Sequence, residues 1–417
     1  MRLQNRGMIL LLLVMVLFVT TVSISAAALE SDANLPDLPT ADGTISFNVN
    51  DTTTTIDQRV LGTNLPARLG PGRSENNTFI SRTNAANPAV IRIPGGSWSN
   101  GYDWSACENY GSYCSWALRP TDFINFLQAN GAEGMYTINM NGTSKEAAAA
   151  VAFFNGSVSD TTVIGTDVRG NDWKTVGYWA QLRSDHGNPN PINIKYWEIG
   201  NEIYGGKSGS GKDCLDWGWE DVWTCDGVEY VNGIGSGGNR NEGFIEFRNA
   251  MRAVDPTIMV GAVGIPWGNS PDFWINYNNW GNEVIENAGS VMDFYVIHQY
   301  AYTDPPASRQ DALAQPQSTW QPLMADLEAS FDQYASGRRV PIAVTEYNLF
   351  AVEDKDTGQW MTQAVNMLFM ADTIGQMMGN GFAIANQWDL ANGQAWNGTD
   401  YGLLDADNDA RSPQYYV

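Results

Sequence analysis

Short apolar segments alternate with longer amphipathic segments along most of this chain. Short apolar runs bounded by polar residues are typical of buried strands, whereas apolar residues three or four positions apart are typical of helices. The predicted strands are residues 60–64, 90–93, 135–139, 194–199, 258–263, 292–298, 342–345 and 382–387. The predicted helices are residues 120–130, 145–154, 173–183, 242–254, 320–334 and 360–378. The first of them begins at a proline and is followed by Gly131, a favourable end for a helix.

Strands that alternate with helices predict a parallel sheet, and eight such units predict a closed (β/α)8 TIM barrel. An open, doubly wound α/β sheet is the alternative. That fold needs a glycine-rich turn after its first strand, and Leu61-Gly-Thr-Asn-Leu-Pro-Ala67 forms no such turn. We therefore expect residues 57–417 to form one catalytic barrel domain. The sequence stops near the expected start of the eighth helix, so the predicted barrel ends at or before that helix.

The first 56 residues divide into three segments that differ from the barrel pattern. Residues 1–28 combine two arginines, an apolar run and the small-residue sequence Ala26-Ala-Ala28, which together predict a cleavable signal peptide. Residues 29–42 read as a flexible acidic leader, and residues 43–56 contain a predicted strand. The rest of the sequence has no apolar run long enough to span a bilayer. We expect a secreted protein without stable membrane insertion after signal cleavage.

The composition favours neutral partners at the protein surface. The 417 residues include 46 acidic against 23 basic side chains, a formal net charge of −23. A surface of this sign repels phosphate backbones, so nucleic acid is excluded as a partner. The 16 tryptophans suit stacking on sugar rings, although aromatic residues also fill cores. We expect an oligo- or polysaccharide as the partner, and the oligomeric state stays open.

Four cysteines are informative in an exported protein, because disulfides form outside the cytosol. Cys107 and Cys114 lie in one predicted loop, and Cys214 and Cys225 lie in another. Three pairings are possible, of which local closure within each loop is favoured. A zinc site is the rival interpretation, but the spacings are wrong and the chain has only two histidines. We expect disulfides, no metal and no cofactor.

Two predicted loops, residues 95–118 and 203–241, are unusually long. Each follows the carboxyl end of a predicted strand, where the active sites of β/α barrels lie. Both are rich in glycine and tryptophan, and long loops in compact domains are usually functional. They predict the wall of a carbohydrate groove. The alternative is a pair of loops that pack on their own aromatic side chains.

Two glutamates close strands that lie opposite each other in the predicted barrel. Glu202 ends the fourth strand and Glu346 ends the seventh. Two such groups can flank a glycosidic bond, one protonated to donate to the leaving oxygen and the other ionised to attack. Carboxyl groups about 5 Å apart give retention of configuration, and wider spacing gives inversion. Glu198 shares strand parity with Glu202, so we expect it to point into the barrel and pair there.

Other side chains at the strand ends could support this pair. Arg92 ends the second strand and can hold a carboxylate in its charged form. The remaining candidates are Asn201 as a ligand of a sugar hydroxyl, His298 and Tyr300 at the end of the sixth strand, and Trp388 as a stacking surface at the end of the eighth. Structural alternatives remain: an internal ion pair for Arg92, a hydrogen-bonded barrel residue for His298 and core packing for Trp388.

The combination of residues at three strand ends is characteristic. Asn201-Glu202 closes the fourth strand, Glu346 the seventh and Trp388 the eighth, and in this the chain resembles the clan A glycoside hydrolases. Within that clan it is similar to the α-L-arabinofuranosidases of glycoside hydrolase family 51 over roughly residues 45–417. The motifs are Arg92-Ile-Pro-Gly-Gly96, Gly101-Tyr-Asp-Trp104, Trp197-Glu-Ile-Gly-Asn-Glu202 and Glu346-Tyr-Asn348. Ile203 departs from the pattern, since many clan members have proline there.

The resemblance implies a role for each matching residue. By resemblance, Glu202 is the acid/base, Glu346 is the nucleophile, Asn201 binds a substrate hydroxyl, Arg92 and Tyr300 support the nucleophile, and Trp104 is a further substrate contact. Family 51 enzymes also carry an accessory β-sandwich. Residues 43–49 resemble the strand that the N-terminus contributes to it.

We therefore expect a secreted, retaining glycoside hydrolase of the α-L-arabinofuranosidase type that cleaves plant-type polysaccharides by a two-glutamate double displacement. An endo-β-glucanase or xylanase of the same clan is the first alternative. An exo-acting enzyme needs a closed pocket and an endo-acting enzyme an open cleft, so the two long loops decide between them. A non-catalytic carbohydrate-binding barrel is a third possibility, disfavoured because both glutamates are present.

Overall fold

Eight parallel strands close into a barrel in the computed structural model, which describes residues 56–417 except 110–113, 208, 211–214, 216 and 268–278. Each strand pairs with its neighbours in chain order, and the last pairs with the first. The strands are β1 Gly62–Asn64, β2 Val90–Ile93, β3 Glu133–Ile138, β4 Tyr196–Ile199, β5 Met259–Val263, β6 Phe294–Tyr302, β7 Ile342–Phe350 and β8 Ile384–Gln387. The prediction of a (β/α)8 barrel is confirmed, and the open sheet is wrong.

Helices connect the successive strands. They are α1 Pro71–Ser74, α2 Asn77–Ala86, α3 Trp104–Glu108, α4 Pro120–Asn130, α5 Ser144–Asn155, α6 Val176–Asp185, α7 Gly227–Asn232, α8 Phe244–Val254, α9 Trp280–Ala288, α10 Arg309–Tyr334 and α11 Ala364–Gly379. Helix α4 has the predicted bounds. Pro120 lies in its first turn, and Gly131 ends it in the left-handed conformation (φ 64°) that glycine adopts without strain.

Helix α10 shows the largest difference from the predicted elements, because it begins at Arg309 rather than at residue 320. Pro316 and Pro322 lie inside it, and proline there removes a backbone donor and normally ends a helix. The early turns persist because Ala312, Pro316 and Trp320, spaced four apart, are buried along one side. Burial of this stripe offsets the unfavourable prolines.

The other differences concern short or irregular elements. The sequence pattern does not reveal α2 and α9, and the loop predicted at residues 203–241 contains α7 and an antiparallel pair formed by Gly209–Ser210 and Trp217–Gly218. The predicted helix 173–183 begins later, at α6, because the Thr175 hydroxyl accepts the hydrogen bond from the backbone N–H of Tyr178 that caps it. The predicted helix 360–378 divides into the 3-10 helix Trp360–Thr362 and α11.

Strands β6 and β7 continue beyond their predicted ends to Tyr302 and Phe350. The register between them shifts, because Ile297 pairs with Val344 but His298 pairs with Glu346. Thr345 is the extra residue on β7, as in a β-bulge. Consecutive residues of a regular strand point to opposite faces, whereas here both Thr345 and Glu346 reach the barrel mouth.

The structure tests part of what the sequence predicts for the cysteines and the N-terminus. Cys107 and Cys114 form the predicted disulfide. Cys225 is also disulfide-bonded, whereas the predicted pair with Cys214 involves a residue outside the described ranges. The predicted signal peptide, acidic leader and nearly all of the N-terminal strand segment lie outside them as well. Within the described residues, the helices are all too short or too polar to cross a bilayer.

Candidate active site

The fully buried guanidinium of Arg92, at the end of β2, connects four side chains at the barrel mouth. Its Nε lies 2.6 Å from Glu198 and its Nη1 lies 2.8 Å from Oε1 of Glu346. It also donates to the side-chain oxygens of Asn64 and Asn201, at 2.9 and 2.8 Å. Burial alone would lower the pKa of Arg92, but the charges of Glu198 and Glu346 raise it above its ordinary value. Arg92 is therefore a permanent cation between two carboxylates.

Glu198 lies inside the barrel, as its strand parity predicts. It is fully buried, and besides Arg92 it accepts hydrogen bonds of 3.1 Å from the hydroxyls of Thr137 and Thr345. With both oxygens engaged below the mouth, Glu198 serves as an internal partner of Arg92.

Glu202 follows β4 in a strained backbone conformation. The chain turns at Gly200 (φ 84°), and Glu202 itself has φ 40° and ψ 42°, a left-handed region that few residues other than glycine adopt. Nδ1 of His298 lies 2.7 Å from Oε1 of Glu202, and the indole N–H of Trp219 donates to Oε2 at 2.5 Å. Such strain is typical of functional sites, where the surroundings hold a residue in place.

Glu346 on β7 is held by different partners. Arg92 donates to its Oε1 and the hydroxyl of Tyr300 donates to its Oε2, both at 2.8 Å. One oxygen of Glu346, one oxygen of Glu202 and a ring nitrogen of His298 all lie within 4.8 Å of one another. The structure thus brings together the two glutamates that the sequence places at opposite strand ends, each with its own set of donors.

The pKa values of the three central groups shift in ways that depend on one another. Burial would raise the pKa of Glu202, but the hydrogen bond from His298 and its charge bring it below its ordinary value. Burial raises the pKa of Glu346, against the opposing charges of His298 and Arg92. Burial would lower the pKa of His298, but the charges of Glu346 and Glu202 raise it. Glu202 and His298 therefore share one proton, which favours His298 in the free site. The pH at which this proton is lost is a property of the pair and not of either residue alone.

Thr345 determines which nitrogen of His298 faces Glu202. The Thr345 hydroxyl donates to Glu198, so it accepts a hydrogen bond from Nε2 of His298, 3.0 Å away. Nε2 therefore carries a hydrogen, and Nδ1 either donates to an ionised Glu202 or accepts from a protonated one. In both states the proton lies on the short line between Nδ1 and Oε1.

Two predicted substrate contacts differ in their positions. Trp388 is half-buried after β8, and its ring lies so close to Gly96 that a Cβ there would be 2.3 Å from it. Trp104 is not brought to the glutamates. It is 3% exposed in α3, and its ring contacts Phe153 and Trp179, with centroids 5.5 and 5.1 Å away. The geometry gives Trp104 a packing role, so its prediction as a substrate contact is corrected.

Besides Asn64, which accepts from Arg92, and Tyr204, which hydrogen-bonds Glu202, four more residues around the site are absent from the predicted set. Thr345 and Trp219 act on His298 and Glu202, as described, while Asn100 and Glu220 surround Asn201. Thr345 could have been noticed beside Glu346, but its inward position depends on the register shift. The other three lie in the two long loops, where periodicity carries no signal.

A metal ion is disfavoured at this site. Among the described residues, Glu202, His298 and Glu346 form the group whose spacing could hold a cation. The guanidinium of Arg92, 2.8 Å from Glu346 and fully buried, would repel a divalent ion there. Arg92 already supplies the positive charge that the carboxylates require.

The fold and the site define a (β/α)8 barrel with one glutamate after β4 and another on β7, which resembles the arrangement of the clan A glycoside hydrolases. The chain is 31% identical over 134 residues to the probable α-L-arabinofuranosidase C of Aspergillus fumigatus, covering 28% of this chain and 23% of that protein. It is 22% identical over 225 residues to the intracellular exo-α-(1→5)-L-arabinofuranosidase of Halalkalibacterium halodurans, covering 51% and 36%. The aligned stretches thus span well under half the length of these relatives. No protein-family model matches the chain.

Solved structures agree on the architecture. The family 51 α-L-arabinofuranosidase of Thermotoga petrophila superposes with a TM-score of 0.63 at 21% identity, over 86% of this chain and 69% of that one. The family 51 α-L-arabinofuranosidase of Bifidobacterium longum gives a TM-score of 0.64 at 16% identity, over 88% and 73%. The resemblance predicted from the motifs is confirmed as a likeness in sequence and fold.

Proposed function

We propose that this protein is a retaining glycoside hydrolase of the α-L-arabinofuranosidase type, with Glu202 as acid/base and Glu346 as nucleophile. The observation that carries the proposal is the approach of one oxygen of Glu202 to one oxygen of Glu346 within 4.8 Å, with Arg92 and Tyr300 bound to Glu346 and His298 bound to Glu202. Carboxyl groups about 5–5.5 Å apart belong to retaining glycosidases, and inverting enzymes need roughly 6.5–9.5 Å to admit a water. The spacing here supports retention.

In the first step, Glu346 attacks the anomeric carbon of the substrate. The new carbon–oxygen bond forms as the glycosidic bond breaks, and the leaving oxygen takes the proton held by Glu202 and His298. Arg92 and Tyr300 favour the ionised form of Glu346 that attacks. The leaving group departs as a neutral alcohol, and a covalent glycosyl ester remains on Glu346.

In the second step, Glu202 acts as a base. It takes a proton from water, whose oxygen attacks the anomeric carbon, and the ester bond to Glu346 breaks with its electron pair returning to the carboxylate. Esterified Glu346 carries no charge, so the pKa of His298 falls in the intermediate because a main cause of its increase is removed. The pair therefore stays unprotonated in the intermediate and is free to take the proton of the attacking water. Two displacements restore the original configuration.

The comparisons and the composition support the proposed substrate class. The relatives are named arabinofuranosidases, one of them exo-acting on α-(1→5) linkages, and the formal net charge of −23 favours a neutral glycan. We also carry forward the proposal of a secreted protein with residues 57–417 as the catalytic domain, supported by the apolar segment near the N-terminus.

A panel of aryl glycosides and plant polysaccharides tests the function. Hydrolysis of 4-nitrophenyl α-L-arabinofuranoside by the full-length protein, abolished in Glu346→Gln, supports the proposal. Cleavage of β-glucan or xylan into fragments of mixed length, with no activity on the aryl arabinoside, selects the endo-acting alternative. Absence of turnover on the whole panel, with binding of oligosaccharide retained, contradicts the enzyme and leaves the carbohydrate-binding barrel.

A further inference from the structure

Glu220 is a further carboxyl group near the catalytic pair, besides Glu198, and neither the motifs nor the mechanism assigns it a role. It is 1% exposed and lies in the loop that follows β4. The hydroxyl of Ser97 lies 2.7 Å from its Oε1, and the amide Nδ2 atoms of Asn100 and Asn201 donate to its two oxygens at 2.8 and 3.0 Å. Burial and the charge of Glu202 raise the pKa of Glu220. In either protonation state it can accept from Asn201.

Glu220 and Arg92 together fix the amide of Asn201. Arg92 only donates, so the atom of Asn201 that faces it must be the oxygen, which accepts at 2.8 Å. The nitrogen of Asn201 then faces Glu220, which accepts one of its two hydrogens. Within the described part of the chain no acceptor faces the second hydrogen of the amide, which is therefore available to a ligand.

The side chain of Asn100 fixes the backbone of Asn201 by two hydrogen bonds. The side chain of Asn100 accepts from the backbone N–H of Asn201 at 3.0 Å and donates to its carbonyl at 2.7 Å. The second hydrogen of its amide nitrogen reaches Glu220. Asn100, from the loop after β2, and Glu220, from the loop after β4, thus both bind Asn201. Such contacts are unexpected if Asn201 has only a packing role.

The segment that carries Glu220 also contacts the acid/base. Trp219 donates to Glu202, and Glu220 accepts from Asn201, so two consecutive residues of the loop hold two consecutive residues after β4. Backbone hydrogen bonds from Trp219 to Gly205 and from Glu220 to Gly206 set this register. A Cβ on Gly205 would lie 2.6 Å from the Trp219 ring, so glycine is required for the approach.

Resting on the proposed function, we propose that Glu220 is a positioning residue. It holds the Asn201 amide so that an N–H, and not the oxygen, is available to the substrate hydroxyl that the resemblance assigns to Asn201, which we take to be the one beside the anomeric carbon. Hydrogen bonds to that hydroxyl strengthen in the transition state of glycoside hydrolysis. Glu220 would thus influence turnover more than binding.

The variant Glu220→Gln tests this role. Glutamate offers two accepting oxygens to the amide N–H groups of Asn100 and Asn201, whereas glutamine offers one. At one of the two contacts the amide nitrogen of glutamine would therefore face another N–H donor. We expect kcat to fall roughly 10- to 100-fold on an aryl arabinofuranoside, with KM changed by less than about threefold. On the matching 2-deoxy glycoside the loss shrinks to less than about threefold, because the hydroxyl that Asn201 recognises is absent.

Glu242→Gln is the matched control, because Glu242 is also buried and accepts from Ser144, but at the start of α5. Any loss it causes should be equal on both substrates. If Glu220→Gln fails to fold, Glu220→Asp keeps the carboxylate but withdraws it from Asn201, and the same substrate selectivity is expected. In an Asn201→Ala background, neither change at Glu220 should cost further activity.

The outcomes separate the inference from the function on which it rests. If the wild type turns over, three results contradict the positioning role alone. Glu220→Gln loses equal activity on both substrates, it loses no activity, or it causes its full loss again in the Asn201→Ala background. A wild-type protein without turnover of any glycoside contradicts the proposed function, and the inference with it.

Discussion

Nδ1 of His298 lies 2.7 Å from Oε1 of Glu202, while its other nitrogen is held by Thr345. In the proposed mechanism, the acid is therefore a pair of groups that share one proton. This explains how Glu202 can serve as a general acid although its own pKa lies below the ordinary value. The proton rests on the imidazole and returns to the carboxyl as the leaving oxygen develops charge.

The first prediction concerns pH. Because the pKa of His298 is raised, the pair keeps its proton to a higher pH than free imidazole would, and the alkaline limb of kcat/KM should lie above about 6.5. In His298→Asn the limb should move to lower pH, since Glu202 must then hold the proton alone. We expect kcat to fall roughly 10²-fold or more.

His186→Asn is the control, because the only other histidine of the chain contacts Glu108 rather than the glutamate pair. Its pH profile should match that of the wild type. An unchanged alkaline limb in His298→Asn would show that the imidazole does not hold the catalytic proton.

The second prediction separates acid catalysis from nucleophilic attack. Glu202→Ala should lower kcat/KM by roughly 10²- to 10⁴-fold for arabinosides with an alcohol leaving group, which needs a proton. For a dinitrophenyl leaving group, which departs as a stable anion, the fall should be much smaller. The two substrates control for each other in steady-state kinetics. Equal losses on both would contradict the role of Glu202 as the proton donor.

The third prediction concerns stability. Arg92→Met leaves Glu198 and Glu346 buried without their cation, and removing one partner of a buried ion pair costs about 3–5 kcal/mol. Urea unfolding should show this loss, and the double variant Arg92→Met/Glu198→Gln should regain part of it.

Arg339→Met, which breaks an exposed pair with Asp332, is the matched control and should leave the urea midpoint unchanged within error. If Arg92→Met is as stable as this control, the ion-pair network at the barrel mouth does not stabilise the fold as described.

The sequence predicts the barrel and the residues at the strand ends well, because both depend on local pattern. Arg92 lies near the end of β2, Glu202 follows β4 and Glu346 follows the apolar first half of β7, and closure of a parallel barrel brings such positions together. The prediction fails where long-range contacts decide. Trp104 shares a motif with the site, but its ring packs against Trp179, a contact that only the folded chain defines.

Glu220 is the opposite case, a residue that lies at the site although the sequence does not predict it there. It lies in an irregular loop with no periodicity, so only the structure reveals that it faces Asn201. The inward position of Thr345 likewise depends on the register between β6 and β7, which a single sequence does not encode in any local pattern. Proline residues inside α10 are a third case, where buried packing overrides intrinsic propensity.

The fourth prediction concerns the exposed tryptophans of the loop after β2. Trp98 and Trp116 are 52% and 37% exposed, with ring centroids 4.9 Å apart. Replacing both by alanine should raise KM for arabinan about tenfold, since stacking on sugar rings is lost, and should change KM for the aryl arabinoside by less than about twofold. Leu368→Ala, which removes a 52% exposed side chain on α11, is the control. Equal losses on polymer and aryl substrate would contradict a remote glycan surface.

The most direct test of the two-glutamate mechanism is the product formed by Glu346→Ala in the presence of azide. Without Glu346 the variant should be inactive, and azide, small enough to enter the space left by the side chain, should restore cleavage of an activated aryl arabinofuranoside. NMR should then show a glycosyl azide of inverted configuration, whereas Glu202→Ala with azide should give the retained one. Undiminished hydrolysis by Glu346→Ala, or a retained azide from it, would contradict the assignment of Glu346 as the nucleophile.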